Sequence, residues 1–97
     1  MSYSVLLSED ARAYYTELDE KSQRIVKENL EKLEAEPYPK PGAGSGDREK
    51  LHVDGEEIYR LHIGRTHTAF YDILEDDQQV RVVEILPIDE AHDRYGF

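Results

Sequence analysis

Residues 58–86 read IYRLHIGRTHTAFYDILEDDQQVRVVEIL, and this stretch decides the fold. Apolar and polar side chains alternate along 58–63, and two further apolar-rich runs cover 66–74 and 80–86. A period of two places one set of side chains in a core and the other set on an open face of a sheet. Glycine and acidic residues separate the runs, as turns require. The stretch therefore predicts three consecutive strands.

The chain before this stretch has the period of helices. Tyr3 to Leu7 is a short strand candidate, and Ser8 follows it as the candidate N-cap of a first helix. A second helix is predicted over 21–34, because an apolar stripe runs along that segment. Prolines and glycines over 37–46 then end the helix and predict a loop. The stripe consists of Ile25, Val26, Asn29, Leu30 and Leu33.

A hairpin connects the helical region to the three strands. Lys50 to Val53 has strand character, and Asp54-Gly55 after it is a strong turn signal. The order of one strand, two helices and four strands predicts an α+β fold in a single domain over residues 1–97. In that domain an N-terminal strand and a two-helix hairpin precede a four-stranded antiparallel meander. The residues predicted to be largely buried are Ile25, Leu30, Leu33, Leu61, Ile63, Tyr71, Val82 and Ile85.

The composition is that of an acidic chain, with a formal net charge of -10 and no cysteine. The lack of cysteine removes disulfides and thiolate chemistry. No apolar run approaches the roughly 18–20 residues of a membrane span. No signal peptide is evident, so we expect a cytoplasmic protein. The 22 acidic residues are spread along the chain, which works against general attraction to nucleic acid. A surface adapted to high salt and an ordinary acidic surface both explain this acidity.

One local group of side chains can carry positive charge or transfer protons. The alternation places Arg60 and His62 on one strand face, and we expect the group to converge on one concave surface. The spacing of its histidines matches no zinc or calcium pattern, so we expect neither a metal nor a cofactor. The same residue types would also serve simply as the polar outer side of a strand. The group consists of Arg60, His62, Arg65, His67, Arg94 and Tyr95.

Two segments carry a resemblance to a known family. Residues 3–37, YSVLLSEDARAYYTELDEKSQRIVKENLEKLEAEP, and residues 50–73, KLHVDGEEIYRLHIGRTHTAFYDI, resemble members of the RelE/ParE superfamily. That superfamily consists of toxins from toxin–antitoxin pairs. A Tyr-Arg-Leu-basic-Ile-Gly run before a strand that ends in aromatic residues is typical of it. The ending EILPIDEAHDRYGF resembles archaeal members and favours a salt-adapted archaeal source.

The resemblance implies a ribosome-dependent mRNA endonuclease or, in the ParE branch, a gyrase inhibitor. In either case a partner antitoxin, expected to be helical, would neutralise the protein. By position, Arg60 and His62 take the places of the family's basic pair, and Tyr95 matches its C-terminal tyrosine. The sequence departs from the family pattern at two places where arginine is usual: His67-Thr68 stands at one, and Asp89-Glu90 at the other.

The implied chemistry assigns a role to each residue type. RNA cleavage by its own 2′-oxygen needs a base for the 2′ proton, cations for the charge on the phosphorane and an acid for the leaving 5′-oxygen. Histidine suits proton transfer near neutral pH, and the planar fork of arginine holds phosphate. The candidates are His62 or His67 for the base, Arg60, Arg65 and Arg94 for the phosphate clamp, and His92 or Tyr95 for the acid.

A second hypothesis belongs to a different functional class. A non-catalytic module with the same fold would dock a helical antitoxin or another protein through the groove beside its sheet. The two departures from the family pattern and the acidic surface favour this module. The Arg60-His62 pair and Tyr95 favour the nuclease, whose partners would include the ribosome and mRNA.

Overall fold

A five-stranded sheet with two helices against one face makes up the part of the chain that the structure describes. The structure is a computed structural model, and it describes residues 2–39, 48–64 and 66–90. The predicted order of elements is confirmed. The elements are β1 (Ser4–Leu7), α1 (Glu9–Thr16), α2 (Glu20–Ala35), β2 (Arg48–Val53), β3 (Glu56–Ile63), β4 (His67–Leu74) and β5 (Gln79–Pro87).

The strands lie in the order β1-β5-β4-β3-β2. Strands β2 to β5 form the predicted antiparallel meander, in which each strand pairs with its neighbour in sequence. Strand β1 joins the other edge and pairs with β5 in parallel, so the sheet is mixed. A parallel pair needs a long connection, and both helices and the other strands lie between β1 and β5 in the chain.

Ser8 begins α1, as its position in the sequence predicts. Its backbone is extended, with φ -65° and ψ 167°, and its Oγ accepts a hydrogen bond from the Ala11 amide at 3.0 Å. The same hydroxyl donates to the carbonyl of Val83 at 2.7 Å. Because one side chain caps the helix and contacts β5, the start of α1 is fixed relative to the sheet.

The β2–β3 hairpin turns at Asp54-Gly55, with φ of 51° and 82° at these two residues. Positive φ at both central positions is what a type I′ turn needs, and the Asp-Gly pair accommodates it. A two-residue turn makes Val53 the partner of Glu56, and pairing then proceeds residue by residue to Arg48 opposite Leu61. The turn therefore fixes which β2 residue faces each β3 residue.

The main core lies between the helices and one face of the sheet. Seven of the eight residues predicted to be buried are at most 6% exposed, so the prediction is confirmed for them. The prediction is wrong for Ile25, which is 36% exposed, while Val26 is fully buried. Successive helical residues are about 100° apart around the axis. Because the buried stripe runs through Val26, Leu30 and Leu33, the side chain of Ile25 lies at the edge of that stripe.

Tyrosines attach the segment after α2 to the sheet. The Tyr71 hydroxyl donates to the carbonyl of Pro37 at 2.6 Å, and the Tyr71 ring stacks on Tyr59 with centroids 5.4 Å apart. Tyr38 packs edge-on against Tyr59, and its hydroxyl donates to the carboxylate of Glu75. That hydrogen bond raises the pKa of Tyr38. The C-terminal end of α2 is therefore held beside β3 and β4.

The opposite face of the sheet is not purely polar. Leu51, Phe70 and Leu86 form a second buried cluster there, with Ile58 and Val83 packed against it. A register shift between β4 and β5 pairs Phe70 with Glu84 and Tyr71 with Val82. Val83 is the extra residue of this bulge. We call this side, which the helices leave uncovered, the open face.

No helix in the described part of the chain is long and apolar enough to cross a membrane.

The burial of Leu33 and the exposure of Ile25 give a matched test on one helix. We expect Leu33→Ala to lower the free energy of unfolding by about 2–5 kcal/mol, because it leaves a cavity under α2. Ile25→Ala should lower it by less than about 1 kcal/mol. Urea unfolding followed by circular dichroism measures both. Equal losses from the two variants would contradict the orientation of α2.

Candidate functional site

Arg60 and His62 lie together on the open face, as the alternation predicts. Arg60 pairs across the sheet with Phe70 of the second cluster, and His62 pairs with Thr68. The residues between and beside them, such as Leu61, belong to the main core under the helices. The open face of β3 therefore presents a guanidinium and an imidazole two residues apart.

Glu49 on β2 joins these two side chains. Its Oε2 forms an ion pair with Nη2 of Arg60, and its Oε1 lies 3.5 Å from Nε2 of His62. The side chain of Arg60 is only 10% exposed, against 33% for His62 and 42% for Glu49. The three residues form a compact cluster, which we call the Glu49 cluster, in which the carboxylate is the outermost group.

Glu49 is not among the predicted site residues, although the sequence contains a signal for it. The two-residue turn at Asp54-Gly55 pairs Val53 with Glu56, and counting back along both strands pairs Glu49 with Arg60. Directly opposed residues lie on the same face with Cβ atoms about 4.5–5.5 Å apart. An acidic residue directly opposite an arginine is therefore the sequence signal for this ion pair.

His67 lies on the other face of the sheet, so the expectation that it converges with Arg60 and His62 is wrong. Its Nδ1 is 2.7 Å from the hydroxyl oxygen of Tyr14 on α1, and the residue is only 9% exposed. The reason is the register of β3 and β4, which pairs His67 with Ile63. Paired residues share a face, and Ile63 is fully buried in the main core.

The Tyr14–His67 pair has shifted proton affinities. Burial lowers the pKa of His67, because the apolar surroundings disfavour the imidazolium. Burial also raises the pKa of Tyr14, and the negative charge of Glu90 adds to that increase. At neutral pH the pair is therefore neutral, and its hydrogen bond joins α1 to the start of β4.

The remaining predicted site residues, Arg65, His92, Arg94 and Tyr95, lie outside the described residues, so their roles stay predictions. Asp89 and Glu90, where the resemblance leads us to expect an arginine, are both exposed.

The described part of the open face is not strongly basic. Arg60 contacts Glu49, and Arg81 forms a two-point contact with Asp72, with nitrogen–oxygen distances of 2.9 and 2.6 Å. The hydrogen bond to Asp72 raises the pKa of Arg81. Among residues 2–39, 48–64 and 66–90, no three His, Asp or Glu side chains are grouped as metal ligands would be. The chemistry available there is proton transfer and anion binding by the Glu49 cluster.

The sequence matches the model of a protein family described as the ParE toxin of the type II toxin–antitoxin system parDE. The match covers residues 5–91. It includes β1 from its second residue, both helices and strands β2 to β5, and it contains the Glu49 cluster. No curated protein sequence matches this chain significantly.

Solved structures of toxin–antitoxin proteins share the fold. A chain of the archaeal RelE-RelB complex from Pyrococcus horikoshii OT3 is 24% identical, with a TM-score of 0.71 over 90% of this chain and 96% of that one. A chain of the RelBE2 complex from Mycobacterium tuberculosis is 19% identical, with a TM-score of 0.71 over 88% and 96%. The YoeB/ParE toxin from Agrobacterium tumefaciens is 16% identical, with a TM-score of 0.68 over 84% and 94%.

The buried His67 should make stability depend on pH. Its pKa in the folded protein lies below the ordinary value of about 6.5, so the unfolded chain binds more protons in the interval between the two values. The contribution of His67 is fully present above about pH 6.5 and is lost as pH falls below it, at no more than about 1.4 kcal/mol per pH unit. Urea unfolding between pH 5 and 7.5 should show that His67→Phe flattens this dependence.

Tyr14→Phe is the matched control for that experiment. It removes the hydrogen bond and should lower stability by about 1 kcal/mol at pH 7.5, because a partly buried ring nitrogen loses its partner. It leaves the titrating group in place, so the pH dependence should remain. A His67→Phe variant with the same pH dependence as the wild type would contradict the role of burial.

Proposed function

This chain belongs to the ParE toxin family of type II toxin–antitoxin systems, and from that membership we propose that it is a growth-inhibiting toxin neutralised by a cognate helical antitoxin. The fold it shares with chains of the RelE-RelB and RelBE2 complexes supports an antitoxin as the partner. An acidic antitoxin would bind this acidic chain better at high salt, because screening weakens the repulsion between like charges.

Growth and coexpression test the antitoxin proposal. Induced expression of the chain in a salt-tolerant host should slow growth, and coexpression of a small helix-rich reading frame adjacent to its gene should restore it. An inert protein of the same length and charge, expressed from the same vector, controls for the load of overexpression. Unchanged growth on induction, with the folded chain present in the cells, would contradict a toxin.

For the target, we propose mRNA on the ribosome, cleaved at the open face. The observation that supports this proposal is the Glu49 cluster, in which a largely buried guanidinium and a partly exposed imidazole lie side by side. His62 would take the proton from the 2′-hydroxyl, and Arg60 would hold the phosphate through its planar fork. Positioned acid–base groups contribute about 10²–10⁴-fold each.

The remaining parts of the mechanism rest on the family resemblance. Tyr95 or His92 would protonate the leaving 5′-oxygen, and Arg65 and Arg94 would add to the phosphate clamp. His67 is left out of this proposal, because its ring contacts Tyr14 on the helix side of the sheet.

A second candidate target is a protein such as gyrase, as the ParE branch of the superfamily implies. The charge pairing on the open face favours it, since Arg60 and Arg81 each contact a carboxylate there. A surface of paired charges suits a protein partner better than a chain of phosphates, which attracts uncompensated cations.

Two assays separate the two targets. One measures cleavage of mRNA during translation, and the other measures inhibition of DNA supercoiling by gyrase. If RNA is the target, the wild type should cut translated mRNA, and Arg60→Ala and His62→Ala should each lower the rate by about 10² or more. Arg81→Ala is the control, because it removes an exposed arginine of the same face outside the Glu49 cluster. Wild-type protein that inhibits gyrase and cuts no mRNA at matched salt would overturn the RNA proposal.

A further inference from the structure

The Glu49 carboxylate is placed as an anionic ligand would be. It offers one oxygen to the Arg60 guanidinium and the other to the His62 imidazole. A phosphate group would bind the same two side chains through the same kind of contacts, because guanidinium groups pair with carboxylates and phosphates through equivalent N–H···O bonds. The anion position of the site is therefore filled by a side chain of the protein.

The exposures of the three side chains show which of them can move. Arg60 is 10% exposed and lies beside the buried Phe70, whereas Glu49 is 42% exposed at the outside of the cluster. Glu49 is on β2, which is an edge strand of the sheet. Rotation of an exposed glutamate side chain needs no rearrangement of the sheet, so Glu49 can leave while Arg60 stays in position.

We propose that Glu49 is an internal stand-in for a phosphate group: it occupies the anion site formed by Arg60 and His62, and it must be displaced before RNA binds. The proposal rests on the proposed function in naming RNA as the source of the phosphate. When a phosphate group replaces the Glu49 carboxylate, the net charge beside Arg60 and His62 changes little. The site therefore binds phosphate weakly until neighbouring groups add contacts to the ligand. Glu49 thereby keeps a toxin site from binding anions indiscriminately.

Removal of the competing charge should expose the anion site. In Glu49→Gln the side chain keeps its size and loses its charge, so inorganic phosphate should bind about tenfold more tightly than to the wild type, which corresponds to about 1.4 kcal/mol. NMR titration of the backbone amides of Arg60 and His62 measures the affinity and also reports whether the fold is intact.

Glu57→Gln is the matched control. It removes one negative charge from the same hairpin and breaks the ion pair with Lys50, which has a nitrogen–oxygen distance of 3.2 Å, without touching the Glu49 cluster. Its phosphate affinity should stay within about twofold of the wild type, because the charge of Glu57, whose side chain is 53% exposed, is screened by solvent and salt. Equal gains in both variants would show a general charge effect and overturn the proposal, as would no gain in Glu49→Gln.

Kinetics with RNA separate this proposal from the proposed function. With translated mRNA as substrate, Glu49→Gln should lower KM about tenfold and leave kcat within about twofold, because the competition precedes the chemical step. A large fall in kcat at unchanged KM would make Glu49 a participant in the reaction and overturn the competitor role. Tighter phosphate binding without mRNA cleavage by any variant would support the exchange and reject RNA cleavage.

Discussion

The two-residue turn at Asp54-Gly55 is the constraint on which the candidate site depends. Its two positive φ angles close the hairpin without an extra residue, and the closure sets the register of β2 against β3. Because of that register, Glu49 faces Arg60 and reaches His62. A shift of one residue would turn every side chain of β2 to the other face, and the carboxylate would then leave the cluster.

The two faces of the sheet carry different titratable groups. The helix side holds a neutral Tyr14–His67 pair inside the main core, where burial keeps the histidine uncharged. The open face holds the Glu49 cluster, which is partly exposed and charged. Two histidines that are five residues apart in sequence thus have different surroundings: His67 contacts Tyr14 of α1 in the main core, and His62 lies beside Glu49 on the open face.

The shared fold and the charged side chains of the open face carry different information about function. Chains of RelE-RelB and RelBE2 superpose on nearly the whole of this chain at identities of 24% and 19%, so the architecture persists while most side chains differ. A fold alone does not give an activity, which depends on particular side chains at a site. In this chain the described open face pairs its arginines with carboxylates. The proposed activity therefore rests on these side chains and not on the shared fold.

The sequence by itself determined the order of the elements, the cap at Ser8, most of the core and the common face of Arg60 and His62, because these follow from local periodicity and turn chemistry. Only the tertiary structure decided the parallel pairing of β1 with β5, the exposure of Ile25, and the separation of His67 from His62. Each of these depends on contacts between residues far apart in the chain, or on the register of two strands across a turn. Period-two alternation assigns a face within one strand, but the residue count of the turn assigns the face of the next.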